Sequence, residues 1–530
     1  MVSSQHYLAS EVGVEILEKG GNAVDAAVAV GFSLAVVLPR AGNLGGGGFM
    51  LIHLNGDTIS RAINYREMAP TNSHQDMFLG PNEEVDNDLF NKSYLSVGIP
   101  GTVAGLVYAL ENYGTMSLKE VIKPAIRLAK KGFPISHDLS RILRKYEDRL
   151  KRNPSSKRIF YKNNEYYEPG DILKQKDLAW SLNQISKKGV NAFYKGKIAE
   201  KLVKDIRLNG GIITLEDLKK YKVQETQAIS GSYRDFQIMS MPPPSSGGVH
   251  IVQMLNILEK LGISNYPYGS ADYLHLLTET MRLAYADRSE YLGDPSFFDV
   301  PLEGLTSKAY ANTLARKIKI DTVNISTQIK PGKPVGFESP ETTHYSVADQ
   351  YGNVVSNTYT LNFSFGTGIV AEGTGILLNN EMGDFSAKPG TPNAYGLIGG
   401  KANAIEAGKR PLSSMTPTII LKENKPLLVT GSPGGSRIIT TVLQIILNVL
   451  EQDMNIAEAS NAPRIHHQWY PDFLFHEAYV NPDTKKLLEQ KGHILKERDA
   501  MGSTQSILIK DGWIYGASDP RRPDGRTLGY

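Results

Sequence analysis

The chain of 530 residues contains no cysteine. That excludes disulfide staples, thiolate-bound zinc, iron–sulfur clusters and a thiol nucleophile. It also lacks an excess of either charge. The 58 Lys and Arg stand against 55 Asp and Glu, a formal net charge of +3, which argues against a dedicated nucleic-acid binder. No apolar run is long enough to span a bilayer: the longest, from Ala26 to Pro39, is short and carries Gly31 and Ser33, so a buried core helix is expected there. HExxH and phosphate-loop motifs are missing, and the glycine run Gly45–Gly48 precedes a strand-like segment where a dinucleotide fingerprint would precede a helix. Residues Met1–Ser4 lead into a helix-like segment with no leader-like pattern.

What is present is an ordinary globular composition, 41% hydrophobic and 21% charged, with Gly and Pro (50 and 28) somewhat abundant, as in a turn-rich mixed fold. Asn22 is placed to cap a helix over Ala23–Val37, ended by Pro39. Phe49–Leu54 reads as a strand closed by Asn55–Gly56. Stretches 105–133 and 172–220 have helical patterns, 146–166 reads as a solvated charged surface, and helices starting near Val249 and spanning about 271–290 close the helical part. From Asp321 to Glu341 sustained periodicity is lost and Pro and Gly accumulate, the mark of a linker or exposed loop. From Thr342 onward the pattern is β-rich. Hairpins are expected around Gln350–Asn353, Lys422–Pro426 and Asp511–Gly512, with an apolar helix over Ile438–Leu450. Hairpins with helices outside them suggest a layered sandwich.

The linker-to-strand junction reads Glu341–Thr342–Thr343–His344. A threonine hydroxyl is a weak nucleophile unless a base sits beside it. An N-terminal threonine carries its own, an α-amine titrating at roughly 8. Equally, β-branched residues simply begin strands. Gly431–Arg437, between a strand and a helix, can offer backbone N–H groups to an oxyanion or serve as a glycine turn. Ser413–Ser414 can hold a carboxylate or cap a turn, and Glu381 and Asp384 can hold an ammonium group or form a polar loop. His466–His467 lack partners at ligand spacing and read as structural.

Taken in order, Gly20–Ala27, Asn43–Met50, Tyr65–Pro70, Met241–Gly248, Thr342–Ser346, Gly375–Asp384, Arg410–Met415 and Gly431–Arg437 resemble the γ-glutamyltransferase (γ-glutamyltranspeptidase, glutathione hydrolase) family of N-terminal-nucleophile hydrolases, in its bacterial form. The resemblance implies an α+β, four-layer αββα sandwich. It further implies a proenzyme that cuts itself between Glu341 and Thr342, leaving subunits 1–341 and 342–530 as a heterodimer that forms one sandwich. Thr342 would be the nucleophile, Thr360 would bind its α-amine, and Gly434 and Gly435 would form the oxyanion hole. Arg66, Ser413 and Ser414 match positions that bind the substrate's α-carboxylate. Asn362, Glu381 and Asp384 match those that bind its α-ammonium, and Pro389–Gly400, with Tyr395, matches a lid.

The implied donors are glutathione and other γ-glutamyl compounds, and the acceptors water or an amino acid or dipeptide. No cofactor, metal, nucleic-acid partner or membrane span is implied, and the location is periplasmic or secreted by family habit. The chain departs from the family pattern at Glu341, where an uncharged residue is common, and at Gly383, where an acid is common. Two rivals follow. A cephalosporin or glutaryl acylase binds a side chain without the α-amine, and Arg66, Ser413, Ser414, Glu381 and Asp384 speak against it; Thr342, Thr360 and the Gly434–Gly435 pair speak against a non-catalytic homologue.

Overall fold

The structure is a computed structural model and describes residues 1–329, 342–388 and 400–530. Among the described residues two large sheets face each other. The first has seven strands in the order Arg526–Leu528, Val2–Ser4, Thr343–Ala348, Val354–Thr360, Gly47–His53, Arg61–Tyr65 and Gln224–Gln227. The second has six, in the order Trp513–Ser518, Gln505–Lys510, Lys425–Thr430, Thr418–Lys422, Phe236–Ser240 and Ile229–Tyr233. Every pairing within both sheets is antiparallel. Each sheet therefore mixes strands from before and after residue 342.

Helices cover both outer faces. Ala23–Val37 and Thr102–Tyr113 pack on the first sheet, and Tyr7–Glu18 and Leu118–Lys131 pack on Ala23–Val37. Gly247–Leu261 packs on the second sheet and against Ala271–Tyr291 and Arg437–Leu450. The helix Ala23–Val37 is buried along its whole length, which its Ala- and Val-rich composition permits. Its start is fixed by Asn22, whose side chain accepts from Val24 N and Asp25 N while Asp25 accepts from Asn22 N at 2.8 Å, a reciprocal cap. The αββα order follows from two sheets that each bury both faces.

Strand alternation decides which side chains meet between the sheets. In Thr343–Ala348 the odd residue Tyr345 faces the helices, and Tyr359 of the neighbouring strand donates to Gly31 O at 2.8 Å. Even residues face the second sheet: Ser346 donates to Gln505 O at 2.8 Å and Ser356 to Thr430 O at 3.0 Å. The face carrying Thr342 is thus the polar face between the sheets.

Three readings of the sequence need correction. Residues 146–166 do not form a purely solvated surface, because Leu150, Ile159, Phe160 and Tyr161 are buried and Phe160 packs on Phe365 at 5.7 Å. Its charges sit on the outer side of two short helices, Glu147–Lys151 and Pro154–Phe160, whose apolar sides are covered. The helical part does not end at 290, since Leu302–Thr306 and Lys308–Ala315 follow. The described part of the expected linker, 321–329, is irregular but tied down: Ser326 is buried, its carbonyl accepting from Trp469 Nε1 at 3.0 Å, and Asn324 Nδ2 donates to Glu279 at 2.7 Å. Polar side-chain bonds, not apolar periodicity, fix that stretch. Glu341 and Tyr395, with residues 389–399 of the expected lid Pro389–Gly400, lie outside the described residues.

Candidate active site

The strand Thr343–Ala348 pairs with Val354–Thr360 so that Thr343 is opposite Tyr359. One more step of that register brings Thr342 opposite Thr360. Both are buried, at the same end of the two central strands. Thr360 lies next to Gly47 on the other side, and the glycine run explains how. A Cβ at Gly46 would stand 1.9 Å from Thr360 O, and one at Gly48 2.5 Å from Thr358 O. Only glycine lets the backbones approach so closely. Asn43 completes the support, donating to Thr360 O at 2.9 Å and accepting from Gly46 N at 2.6 Å. The Thr360 hydroxyl accepts from Asn362 N at 2.9 Å.

Two residues beyond Thr342, on the same strand face, His344 is buried between Thr358 (2.9 Å) and Ser346 (3.1 Å). Burial pushes its pKa down to about 3, so it is neutral and structural. A Cβ at Gly431 would stand 2.4 Å from the His344 ring, so the loop between Lys425–Thr430 and Arg437–Leu450 starts over this face. Gly434 (φ +137°) and Gly435 (φ +60°) follow in conformations that favour glycine. They lie just before the helix Arg437–Leu450, and their carbonyls accept from Arg437 N and Ile438 N at 3.2 and 3.1 Å.

Arg66 directly follows the strand Arg61–Tyr65 and is fully buried. Its carbonyl is gripped by Tyr221 OH (2.9 Å) and Arg410 Nη1 (2.5 Å). Its guanidinium bonds Glu381 and Asp384 directly and lies 3.3 Å from Glu67. Nε and Nη2 also donate to Pro411 O at 3.3 Å and Leu412 O at 3.4 Å. The structure thus brings Arg66 beside the Ser413–Ser414 loop, and it places the acids directly on the guanidinium, a pairing that the sequence spacing does not reveal. All five N–H donors of Arg66 have an acceptor.

Burial opposes the Arg66 charge, but Glu381, Asp384 and Glu67 outweigh it and push its pKa up. Burial pushes the carboxyls up too, partly offset by Arg66: Glu67 to about 7, Glu381 well above its ordinary value, and Asp384 upward from its own. Among the described residues, one cation pairs directly with three acids. Among the described residues, Glu67 Oε1 and Glu381 Oε2 are buried with no hydrogen-bond partner. Buried orphan oxygens of this kind call for a donor. Glu381 is aimed by Asn379, which accepts from Glu381 N at 2.9 Å and donates to Gly45 O and Gly98 O at 2.7 and 2.8 Å. Asn362 (φ +73°) donates to Asn380 O at 3.0 Å, beside the same short helix Glu381–Asp384.

The Ser413 hydroxyl accepts from Met415 N at 3.1 Å, and the Ser414 hydroxyl accepts from Arg288 Nη2 at 3.0 Å. Glu67 and Arg288 were not among the site residues expected from the sequence. Glu67 adjoins Arg66 in a matched motif. Arg288 lies in Ala271–Tyr291, a helix buried nearly all round despite Glu279, Arg282, Asp287 and Arg288. Charges inside such a helix are the signal that was available.

A family model described as gamma-glutamyltranspeptidase matches residues 9–529. The chain belongs to the gamma-glutamyltranspeptidase family. It is 56% identical to a glutathione hydrolase proenzyme of Escherichia coli (strain K12), over all of this chain and 92% of that protein. Among solved structures, Helicobacter pylori gamma-glutamyltranspeptidase is 48% identical over 62% of this chain and 94% of its own, with a TM-score of 0.61. A cephalosporin acylase from Bacillus halodurans superposes with a TM-score of 0.86 over 99% of this chain and 94% of its own, at 25% identity. The family and the sandwich fold of the N-terminal-nucleophile hydrolases, both expected from the sequence, are borne out, and with them γ-glutamyl transfer and hydrolysis by a self-processing enzyme. No described helix is long and apolar enough to cross a membrane.

Proposed function

We propose that Thr342 is the nucleophile and that the Arg66 cluster is the seat of the γ-glutamyl zwitterion. The observation that carries the second part is the charge pattern. A glutamyl end offers a carboxylate to the cation and an ammonium to the acids, and Glu67 Oε1 and Glu381 Oε2 are buried acceptors with no partner among the described residues. Entry of the donor exchanges some of the Arg66–acid bonds for bonds of the same kind to the substrate. The α-carboxylate meets Arg66 and the Ser413 and Ser414 hydroxyls, and the α-ammonium meets Glu381, Asp384 and Asn362. Excess acid in the cluster favours donors with the ammonium over glutaryl acyl groups, which lack it.

Maturation begins when the Thr342 hydroxyl attacks the Glu341 carbonyl. The peptide bond is replaced by an ester, the Thr342 nitrogen leaves as a free amine, and water cleaves the ester to a Glu341 carboxylate and the hydroxyl. In turnover the α-amine of Thr342 takes the hydroxyl proton as the oxygen attacks the γ-carbonyl. Gly434 and Gly435 N–H groups stabilise the oxyanion. The leaving amine departs with that proton, and the ester is resolved by water or by an acceptor amine. Thr360, across the sheet from Thr342, orients the α-amine.

The products of the cut would be subunits 1–341 and 342–530, a heterodimer in which both sheets are shared. The interleaved strand order supports stable association after cleavage. The length of the Helicobacter pylori chain, matched over 94% of itself by 62% of this one, also fits a separate large subunit. Glutathione and other γ-glutamyl compounds are the donors, Pro389–Gly400 with Tyr395 the lid, and the periplasm or the exterior the location, on family habit. The test is N-terminal sequencing of the purified protein and of Thr342→Ala. The wild type should give a small chain starting at Thr342, and the variant one uncut, inactive chain. A small chain starting at residue 342 from the variant would assign the cut to another nucleophile.

A further inference from the structure

The Ser413–Ser414 hydroxyls bind a carboxylate only if they present their protons to it. In the turn Met241–Gly248 and the loop Arg410–Met415 the positions of these protons can be traced. Ser246 N and Ser246 Oγ both donate to Ser413 O, at 2.7 and 2.9 Å. The Ser246 hydroxyl, having spent its proton, accepts from Arg288 Nε at 2.9 Å. The other arm of the same guanidinium, Nη2, donates to Ser414 Oγ at 3.0 Å. Arg288, Ser246, Ser413 and Ser414 are all buried. A hydroxyl that accepts from a cation must turn its own proton elsewhere, because guanidinium nitrogens have no lone pair to receive it. The Ser414 proton is therefore directed away from Arg288 and is available to an incoming acceptor.

We infer that Arg288 is a positioning residue for donor specificity: its fork, anchored on Ser246, fixes the Ser413–Ser414 loop and aims the Ser414 hydroxyl as a donor toward the α-carboxylate. This rests on the proposed donor site. The need for such a device follows from Arg66, whose five N–H groups are all engaged, so the carboxylate relies on further donors as well as on exchange at Arg66. The Arg288 charge also bears on Asp384, lowering its carboxyl pKa against burial, so it lies near the acids that pair with Arg66. A lysine would keep the charge and lose the two-armed geometry.

The test compares two donors, γ-glutamyl-p-nitroanilide and 4-aminobutanoyl-p-nitroanilide, which keeps the amine but lacks the α-carboxylate. It uses the mature enzyme and Arg288→Gln, Arg288→Lys and Ser246→Ala. Where turnover of the second donor is too slow, its Ki against the first is measured. For Arg288→Gln the preference for the carboxylate-bearing donor should fall by about tenfold or more, through KM, with kcat nearly kept. Arg288→Lys should recover only part of it, and Ser246→Ala should fall in the same direction by less. In a Ser414→Ala background the Arg288→Gln effect on the preference should largely vanish. An equal loss for both donors, an unchanged preference, or the same loss without the Ser414 hydroxyl would overturn the inference. If Arg288→Gln fails to mature, Ser246→Ala, with and without Ser414→Ala, decides by the same criteria. A wild type that shows no preference between the donors would instead overturn the donor-site reading itself.

Discussion

Two buried ion clusters in this protein differ in the stoichiometry of their direct ion pairs. In one, Arg464 and Arg521 face Asp519 and Glu477, two against two. Arg521 grips Glu477 with both arms, at 2.8 and 2.6 Å, and the four carboxylate oxygens also take Arg464 N, Met501 N, Thr504 N and Arg521 N. Burial raises the Asp519 pKa, but Arg464 and Arg521 more than offset it, so the net shift is down. In the other, Arg66 is, among the described residues, the one arginine paired directly with Glu67, Glu381 and Asp384, while Arg410 and Arg288 act on Glu67 and Asp384 from farther away. There burial wins, the carboxyl pKa values rise, and two buried oxygens have no described partner. The balanced cluster is a brace between the segments around 460, 477, 501 and 519. The unbalanced one is an acceptor surplus, which on the proposed reading a substrate ammonium would fill.

The sharpest contrast should come from removing the arginines. Arg66→Gln should raise KM for γ-glutamyl donors by about a hundredfold, because a charge-assisted, bidentate-capable partner of the carboxylate is lost. Arg521→Gln should leave KM near the wild-type value and lower stability by about 3–5 kcal/mol, since it strands buried carboxylates. Steady-state kinetics and denaturant unfolding read the two. If Arg521→Gln changed KM as Arg66→Gln does, the division of roles would be wrong.

Removing one acid should give smaller effects that again separate the clusters. Asp384→Asn should cost γ-glutamyl turnover about 1.5–3 kcal/mol in kcat/KM with little change in Tm, because it relieves like-charge crowding. Asp519→Asn should lower Tm and spare kcat/KM. A large Tm loss in Asp384→Asn would mark that acid as a brace.

The smallest effect is in pH dependence. Glu67 has its folded pKa raised from 4.5 to about 7, so its contribution to stability is fully present below 4.5 and is lost as pH rises through about 7. Asp519 has the opposite sign: its folded pKa is lowered from 3.8, so its contribution is present above 3.8 and is lost as pH falls through the folded value. From about pH 6 to pH 8, wild type should therefore lose on the order of 1 kcal/mol relative to Glu67→Gln. Parallel stability curves for the two over that range would show that Glu67 does not titrate there.

Much of this was legible in the sequence where local rules decide. Asn22 and the Ala–Val run specify a capped core helix, and the hairpin that carries Thr342 and Thr360 follows from β-branched residues flanking a Gly–Asn turn. The break at Thr342 coincides with the start of a central strand. The pairing of Arg66 with Glu381 and Asp384, over 315 and 318 residues of chain, is set by sheet topology and leaves no local trace. Arg288 was hidden for a similar reason, since a charged residue in a helix reads as surface until the helix is known to be buried on all sides. The stretch 146–166 shows the converse error, where a high density of charge masked Leu150, Ile159 and Phe160.

The central claim is that the acid surplus around Arg66 selects an acyl group bearing an α-ammonium. The most direct measurement is kcat/KM of the mature wild-type enzyme for γ-glutamyl-p-nitroanilide against glutaryl-p-nitroanilide, which differ only in that group. Stranding Glu381 and Asp384 opposite the glutaryl chain predicts a preference for the γ-glutamyl donor of about a hundredfold or more. Equal turnover of the two would contradict it and would move the chain to the acylase side of its family.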